Sequence, residues 1–517
     1  MVDPGRTAPR VTRQETLIAG RWMPATDGRY AAVRSPATGE TIAEVPIAVV
    51  GDVDRAVQAA RTAQRELAAL GVFERAALLD RVAALIEERK HAIARDLAQE
   101  QGKPYHTDAL VEVEIAAEMW RDAAAIIKRL EGEVLPSSDP SRRILTIRQP
   151  RGVYAVVSPW NFPATIPTEY LCAGLAAGNA IVWKPALATP LTALHLARCV
   201  VDAGLPAGAL SVVIGAGAEI GEALVGHPGV DAIGATGSPE TGDRIARIAG
   251  AKPLLLELGG NCPAIVFADA DIDRAIERVA VGAFANAGQI CDSTERIIVH
   301  ESLVERLVDG LVSAAGAQRL GPSLEETTTM GPLNNAPTAD KVDRHIADAR
   351  SRGARVHAGG RRAPDRPTDL YYEPTVISGI TPDMLIFKEE TFGPVAAVMA
   401  FRDVDEAIDL ANDTDLGLVA GAFTSDPALA AYAGERLEAG IVNINDVPTY
   451  WQPHTPFGGF TGKRSGIGRL GGKYTIMEMS QLKTIVTVTG WRPSWDRSAP
   501  APSDTDPGQA DAERSGA

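Results

Sequence analysis

The chain has 517 residues, a formal net charge of −15, and 45% hydrophobic and 23% charged residues. That length points to two or three domains, and the acidic balance argues against a surface built to coat nucleic acid, which needs clustered Lys and Arg. The four cysteines (Cys172, Cys199, Cys262 and Cys291) show no CxxC pair, and the eight histidines form no metal-ligand pattern. A reducing compartment and no metal site are therefore expected. No apolar run is long enough to span a bilayer, and the opening MVDPGRTAPRVTRQE lacks the apolar core of a secretory leader. The expectation is a soluble cytoplasmic protein with neither nucleic acid nor membrane as partner.

Residues 1–14 read as a loose polar arm. Residues 51–130 carry Ala, Leu and Ile at helical spacing among charges. RRILTIRQP, at 142–150, alternates and predicts a strand. From 152 onward short apolar strands alternate with helices: GVYAVVS, NAIVWKP, LSVVIG, VDAIGATG and KPLLLELGG. That alternation predicts a parallel sheet covered by helices. A second α/β unit opens with PAIVFADADIDRAIERVAVGAFANAG, its helix expected over 271–287, and continues through ERIIVH to about 470. KTIVTVT, at 483–489, is another strand. The strands at 142–150 and 483–489 stand outside the alternation, so they are expected to pair with each other or with a partner subunit. A lone exposed strand favours an oligomer. The tail 491–517 is rich in Pro, Ser, Asp and Ala and is expected to be flexible.

Two segments suit a phosphate. Gly215, Gly217 and Gly221 follow the strand LSVVIG, but Ile220 stands where the dinucleotide fingerprint needs its third Gly. Further on, Gly237 precedes Ser238 and Pro239, an N-cap and first-turn pair that opens a helix with free N–H groups. Either segment is equally explained as a turn before a helix.

Six motifs occur in order: Ser158-Pro-Trp-Asn-Phe-Pro163, Trp183-Lys-Pro185, Leu256-Glu-Leu-Gly-Gly260, Asn286-Ala-Gly-Gln-Ile-Cys291, Glu390-Thr-Phe-Gly-Pro394 and Pro456-Phe-Gly-Gly459. Through them the chain resembles the aldehyde dehydrogenase superfamily over about residues 15–490. The resemblance implies an α/β fold with a Rossmann-like NAD(P)-binding domain (15–131 and 151–258) and an α/β catalytic domain (259–472). It further implies a small β bridging element for oligomerisation (132–150 and 473–490), and a homodimer or homotetramer.

The resemblance also assigns roles. Cys291 is the nucleophile that attacks the aldehyde carbon, whereas Cys172, Cys199 and Cys262 are read as small hydrophobes. The Asn161 amide and the Cys291 backbone N–H form the oxyanion hole. Glu257, 34 residues ahead of the cysteine, is the general base that releases the thioester, a role suited to a raised pKa. Lys184 and Glu390 hold the cofactor riboses, and Phe392 stands beside the nicotinamide. Ser158, Trp160, Gly217, Gly221, Gly237, Ser238 and Leu258 complete the NAD or NADP site. Phe162 and His454, with Trp451, are candidates for the substrate end.

Two positions depart from the pattern. Leu187 occupies a place where many NAD-preferring members carry a Glu, so it neither repels a 2′-phosphate nor binds one, and either cofactor is expected to serve. Glu169, eight residues after Asn161, stands where succinate-semialdehyde and lactaldehyde dehydrogenases commonly place an Arg. It either lines the funnel, which disfavours anionic aldehydes, or pairs with an arginine such as Arg296. Competing readings are a CoA-acylating semialdehyde dehydrogenase, which often lacks the Glu, and a non-redox thioesterase or structural protein on the same fold.

Overall fold

A computed structural model describes residues 11–489 of the chain. The segments 1–10 and 490–517 lie outside the described residues, and so does the expected flexible tail. The arm, however, is ordered from residue 11. Thr12–Arg13 pairs in parallel with Thr41–Pro46, and the Arg13 guanidinium bonds Glu44 at 2.7 Å. Two ladder positions and an ion pair fix a segment whose polarity alone suggested a loose end.

The helical stretch resolves into Val50–Ala69, Val72–Gln101 and Leu110–Ile127. The second of these buries Leu79, Val82, Ala83, Ile86, Ile93, Ala94 and Leu97 at the three- and four-residue spacing of one face. It stops at Gly102, whose φ of 108° gives the left-handed cap that ends many helices. A single π-helical turn, Tyr105–Ala109, then leads into the third helix.

Two sheets carry the rest of this unit. The first runs in the order 210–212, 180–184, 153–157, 232–237, 254–258 and 466–467, with every neighbour parallel except the last. The short strand Gly466–Ile467 thus returns from the later part of the chain to the first sheet. The second sheet has seven strands, in the order 355–358, 375–378, 395–401, 294–300, 262–266, 419–423 and 441–444. These are parallel apart from the edge strand 355–358. Near-continuous Val, Ile, Leu and Ala in the central strands match burial on both faces, as in a parallel sheet covered by helices. A separate unit contains a three-stranded sheet in the order 480–488, 142–150 and 134–135. The two lone strands therefore pair with each other.

The helix expected over 271–287 ends at Phe284. Asn286 (φ 47°), Ala287 (φ 54°) and Gly288 (φ 72°) follow in left-handed conformations. Three such residues in a row break the helix and turn the chain toward Cys291. Their strain is offset by polar anchors: Gln289 Nε2 donates to the Asn286 carbonyl (2.8 Å), and the Asn334 N–H donates to Gln289 Oε1 (2.8 Å). A Cβ at position 288 would stand 2.0 Å from the Gly393 carbonyl oxygen. Gly288→Ala is accordingly expected to lose about 1–2 kcal/mol from the left-handed backbone alone and more from the clash. Urea unfolding of the variant checks this; unchanged stability would mean that the loop is not held in this geometry.

Candidate functional site

A cavity of about 260 Å³ brings Cys291 together with Glu257, Thr236, Phe162, Glu169 and Trp451. The first sheet delivers Glu257 near the end of Leu254–Leu258, directly opposite Thr236 on the neighbouring strand. The strained loop delivers Cys291, which is half-buried; the other three cysteines are buried, and all four are free thiols. Burial first, then the Glu257 and Asp292 carboxyls, push the Cys291 thiol well above its ordinary value. Its resting form is therefore the protonated thiol, and a nucleophile here needs a base.

Glu257 lines the same cavity as Cys291. Burial pushes its carboxyl up to about 8, partly countered by hydrogen bonding from Cys291 and Thr236. Its Oε1 is buried without a hydrogen-bond partner among the described residues. The Thr236 hydroxyl is fixed in turn by the Tyr170 hydroxyl at 2.9 Å. Asn161 is buried, and its Nδ2 donates one N–H to the Gln289 carbonyl at 3.1 Å. An amide carries two N–H groups, so one has no acceptor among the described residues. The Cys291 backbone N–H has no acceptor among the described residues.

The other group of predicted residues gathers at the end of the first sheet. Strand order reverses between 153–157 and 232–237, and ligands of open α/β sheets lie in the crevice at such a point. Ser158 and Ser238 follow the ends of these two strands. The Ser158 hydroxyl accepts from the Trp183 indole at 2.8 Å, and Ser238 caps the helix Pro239–Ala249 by accepting from the Thr241 N–H at 3.3 Å. A second cavity, of about 200 Å³, is lined by Val157, Gly217, Gly221, Thr241 and Arg244. A Cβ on Gly217 would meet nothing, so this edge is open to a ligand. Ile220 is wholly buried, and 217–221 forms a π-helical turn rather than the tight glycine turn of the usual fingerprint.

Lys184 tests what this crevice accepts. It is buried, among the described residues its Nζ donates only to the Pro185 carbonyl (3.1 Å), and burial lowers it to about 8. A buried cation with no carboxylate partner suits a ligand rich in hydroxyls and anionic oxygens, and so do the helix N-terminus at Ser238 and the open edge at Gly217. A dinucleotide fits these residues. Gly237 lies at the strand end, and Leu258 is buried where a Cβ on Gly242 would strike its methyl groups. Leu187 is 39% exposed and lies off the wall of the second cavity. Trp160 meets Phe392 edge to face, with centroids 5.6 Å apart.

Several residues of this region escaped the sequence analysis. Glu295, four residues after Cys291, accepts the backbone N–H groups of Thr391 (2.6 Å) and Phe392 (2.7 Å). It thereby holds Phe392 at a left-handed φ of 58°. The Glu390 carboxyl accepts from the Gly260 N–H at 3.1 Å, and burial raises both Glu295 and Glu390. Lys103 pairs with Glu112 at 2.7 Å, wholly buried, and its Nζ lies 3.7 Å above the Phe162 ring. Glu112 also accepts the Ala164 N–H (2.8 Å) and the Thr165 N–H (3.3 Å) at the start of the helix that carries Glu169. Only contacts distant in sequence reveal these groups.

Two expectations need correction. His454 is exposed and off the cavity wall, which its neighbours Trp451 and Phe457 form instead. Arg296 does not pair with Glu169: its guanidinium donates to the carbonyls of Asn261 (2.9 Å), Leu410 (2.9 Å) and Ala411 (2.8 Å). Glu169 faces the cavity. Among the described residues no helix is long and apolar enough to cross a membrane.

Comparison with known proteins identifies the family. The model of the aldehyde dehydrogenase family matches residues 22–485. Mitochondrial succinate-semialdehyde dehydrogenase of Oryza sativa is 40% identical, covering 92% of this chain and 89% of the relative. The NADP(+) succinate-semialdehyde dehydrogenase GabD of Escherichia coli is 38% identical, covering 91% and 97%. An NAD-dependent aldehyde dehydrogenase from Sinorhizobium meliloti superposes with a TM-score of 0.90 at 36% identity, covering 96% and 99%. The chain belongs to the aldehyde dehydrogenase family and is an oxidoreductase that oxidises an aldehyde with NAD or NADP.

Proposed function

We propose that Cys291 and Glu257 carry this oxidation through a thiohemiacetal and a thioester on the Cys291 sulfur. The observation that supports it is a protonated thiol and a buried carboxyl, pushed up to about 8, on the wall of one cavity. Glu257 takes the thiol proton as Sγ attacks the aldehyde carbon. The oxyanion is received by the free Asn161 N–H and the Cys291 backbone N–H; loss of one such donor typically costs about 2.7–4 kcal/mol of barrier. The dinucleotide, when bound, supplies the two-electron acceptor that turns the thiohemiacetal into a thioester. Glu257, having released the thiol proton to solvent, then takes a proton from the attacking water; the carboxylic acid leaves, and Glu257 returns that proton to the Cys291 sulfur.

We assign 15–131 and 151–258 to the dinucleotide-binding domain, 259–472 to the catalytic domain, and 132–150 with 473–490 to the bridging element. Lys184 and Glu390 would hold the riboses. Ser238, Gly217, Gly221 and Gly237 would flank the phosphates. Ser158, Trp160, Leu258 and Phe392 would enclose the nicotinamide half. Leu187 offers a 2′-phosphate neither repulsion nor a partner, so both dinucleotides are expected to support turnover. A CoA-acylating reaction is less suited to the cavity because Glu257 supplies a base for water; NAD(P)H formation that requires CoA would reverse this choice. Failure to bind either dinucleotide would revive a non-redox reading.

The base works as the carboxylate, whose population grows as pH rises through its pKa. With deacylation limiting, kcat is expected to climb with pH, inflect near about 8 and level off above it. Glu257→Gln is expected to remove the inflection and lower kcat about 10²–10⁴-fold. Wild-type turnover in this variant, or a flat wild-type profile, would contradict the assignment.

We further propose a cytoplasmic homo-oligomer, a dimer or tetramer. The strand Ser480–Val488 is an edge of its sheet and exposes Leu482 (58%), Val486 (49%) and Val488 (62%). An exposed apolar edge is a liability unless another chain covers it. Light scattering is expected to give a multiple of the 54.5 kDa chain mass, reduced by Leu482→Lys with Val486→Lys. A monomeric wild type would overturn this.

A further inference from the structure

We propose that the aldehyde this enzyme takes carries a cationic group, an ammonium or other amine-derived centre, and that Glu169 receives it. The inference rests on Cys291 being the nucleophile of the 260 Å³ cavity.

The charges on the cavity wall are one-sided. Five carboxyls line it (Asp108, Glu112, Glu169, Glu257 and Asp292) against one cation, Lys103. That cation is already neutralised: Lys103 is locked on Glu112 at 2.7 Å and capped by the Phe162 ring. No positive group on the wall is therefore free to receive a carboxylate or sulfonate at the far end of a substrate.

Glu169 differs from Glu112 and Glu257 in having no partner of its own among the described residues. It is 8% exposed, and among the described residues its carboxyl has neither a hydrogen bond nor an ion pair. Glu112 is committed to Lys103 and to the N–H groups of the helix that carries Glu169, while Glu257 faces the nucleophile. An unpartnered buried carboxyl is costly and calls for a partner. In the ligand-free cavity burial and the Glu257 carboxyl hold Glu169 well above the ordinary carboxylate range. A cation beside it favours the carboxylate again, and the displaced proton leaves to solvent.

The remaining walls suit the same ligand. Val111, Ile115, Ile166 and Ile290 offer a short hydrocarbon chain an apolar path, and the Trp451 ring adds an aromatic surface of the kind that attracts cations and repels anions. Asp108, on the π-helical turn at the cavity wall, adds a second acid, which burial raises to about 6. An anionic semialdehyde would find no free cation on the wall, and its charge would further disfavour ionisation of Glu169 and Glu257.

The test uses the full-length wild-type enzyme with three aldehydes: 3-aminopropanal, its uncharged isostere butanal, and succinate semialdehyde. At neutral pH kcat/KM for 3-aminopropanal is expected to exceed that for butanal about tenfold or more, with succinate semialdehyde lowest. Glu169→Gln is expected to bring the first two values together, and Glu169→Arg to shift preference toward succinate semialdehyde. If wild type prefers succinate semialdehyde, or treats butanal and 3-aminopropanal alike, the proposal is wrong although the dehydrogenase reading stands. An ammonium preference that survives in a folded Glu169→Gln enzyme would remove Glu169 from the role. Should the variants fail to fold, the wild-type ratios decide the substrate class. No reduced cofactor from any aldehyde would overturn the dehydrogenase reading, and this proposal with it.

Discussion

A carboxyl and a thiol taken out of water side by side set the terms for everything else in this protein. Burial disfavours the charged form of both Glu257 and Cys291; the Glu257 carboxyl further disfavours the thiolate, whereas hydrogen bonding from Cys291 favours the carboxylate. The pair therefore rests with its protons in place, and Glu257 can act as a base only once its own proton has gone to solvent. A solvated Glu would be too weak a base for this, and a solvated thiol would lose the orientation of attack. The cost of desolvation is what brings the carboxyl close to neutral proton affinity. It also requires that the surrounding fold be rigid enough to keep water from relaxing the site.

The fold meets that demand from two sides. Parallel strands with large apolar side chains form a stiff base, and Glu257 enters the cavity from one of them with Thr236 fixed opposite by Tyr170. Cys291 comes from the other side, on a loop bent through three left-handed residues and fastened by Gln289, Asn286 and Asn334. The same anchors use one N–H of Asn161 and leave the other free. The proposed nucleophile, base and oxyanion donor are thus placed by different elements, and a shift in any of them would separate the others. Glu295 plays the matching part at the dinucleotide crevice by holding the backbone of Phe392.

Much of this was legible in the sequence because it rests on local pattern. The strand–helix alternation, the lone strands and the order of the six motifs are read without knowing any long-range contact. The helix end at Phe284 was not. Ala287 is a strong helix former by propensity, and tertiary contacts pull it into a left-handed conformation that it rarely adopts. Lys103, Glu112 and Glu295 were equally hidden, since an ion pair between buried side chains or a carboxylate on a distant loop leaves no periodic trace. His454 was misplaced for a related reason: a polar residue near a motif is not thereby turned toward the cavity. The charge at Glu169 was visible as an anomaly, but only the three-dimensional arrangement shows that Arg296 is engaged elsewhere.

The separation of two tasks between Cys291 and Glu257 is the centre of the account, and one rapid-mixing experiment tests it most directly. Glu257→Gln enzyme is mixed with aldehyde and NAD or NADP, and reduced cofactor and intact-protein mass are followed together. The account predicts up to one equivalent of reduced cofactor per active site, followed by a stall with an acyl group on Cys291, because the first half of the reaction outlasts the loss of the deacylating base. Since Glu257 also receives the thiol proton, the burst itself is expected to be slower than in wild type, while the adduct still accumulates. Steady turnover at the wild-type rate, or a variant that binds cofactor yet never acquires the acyl mass, would contradict it.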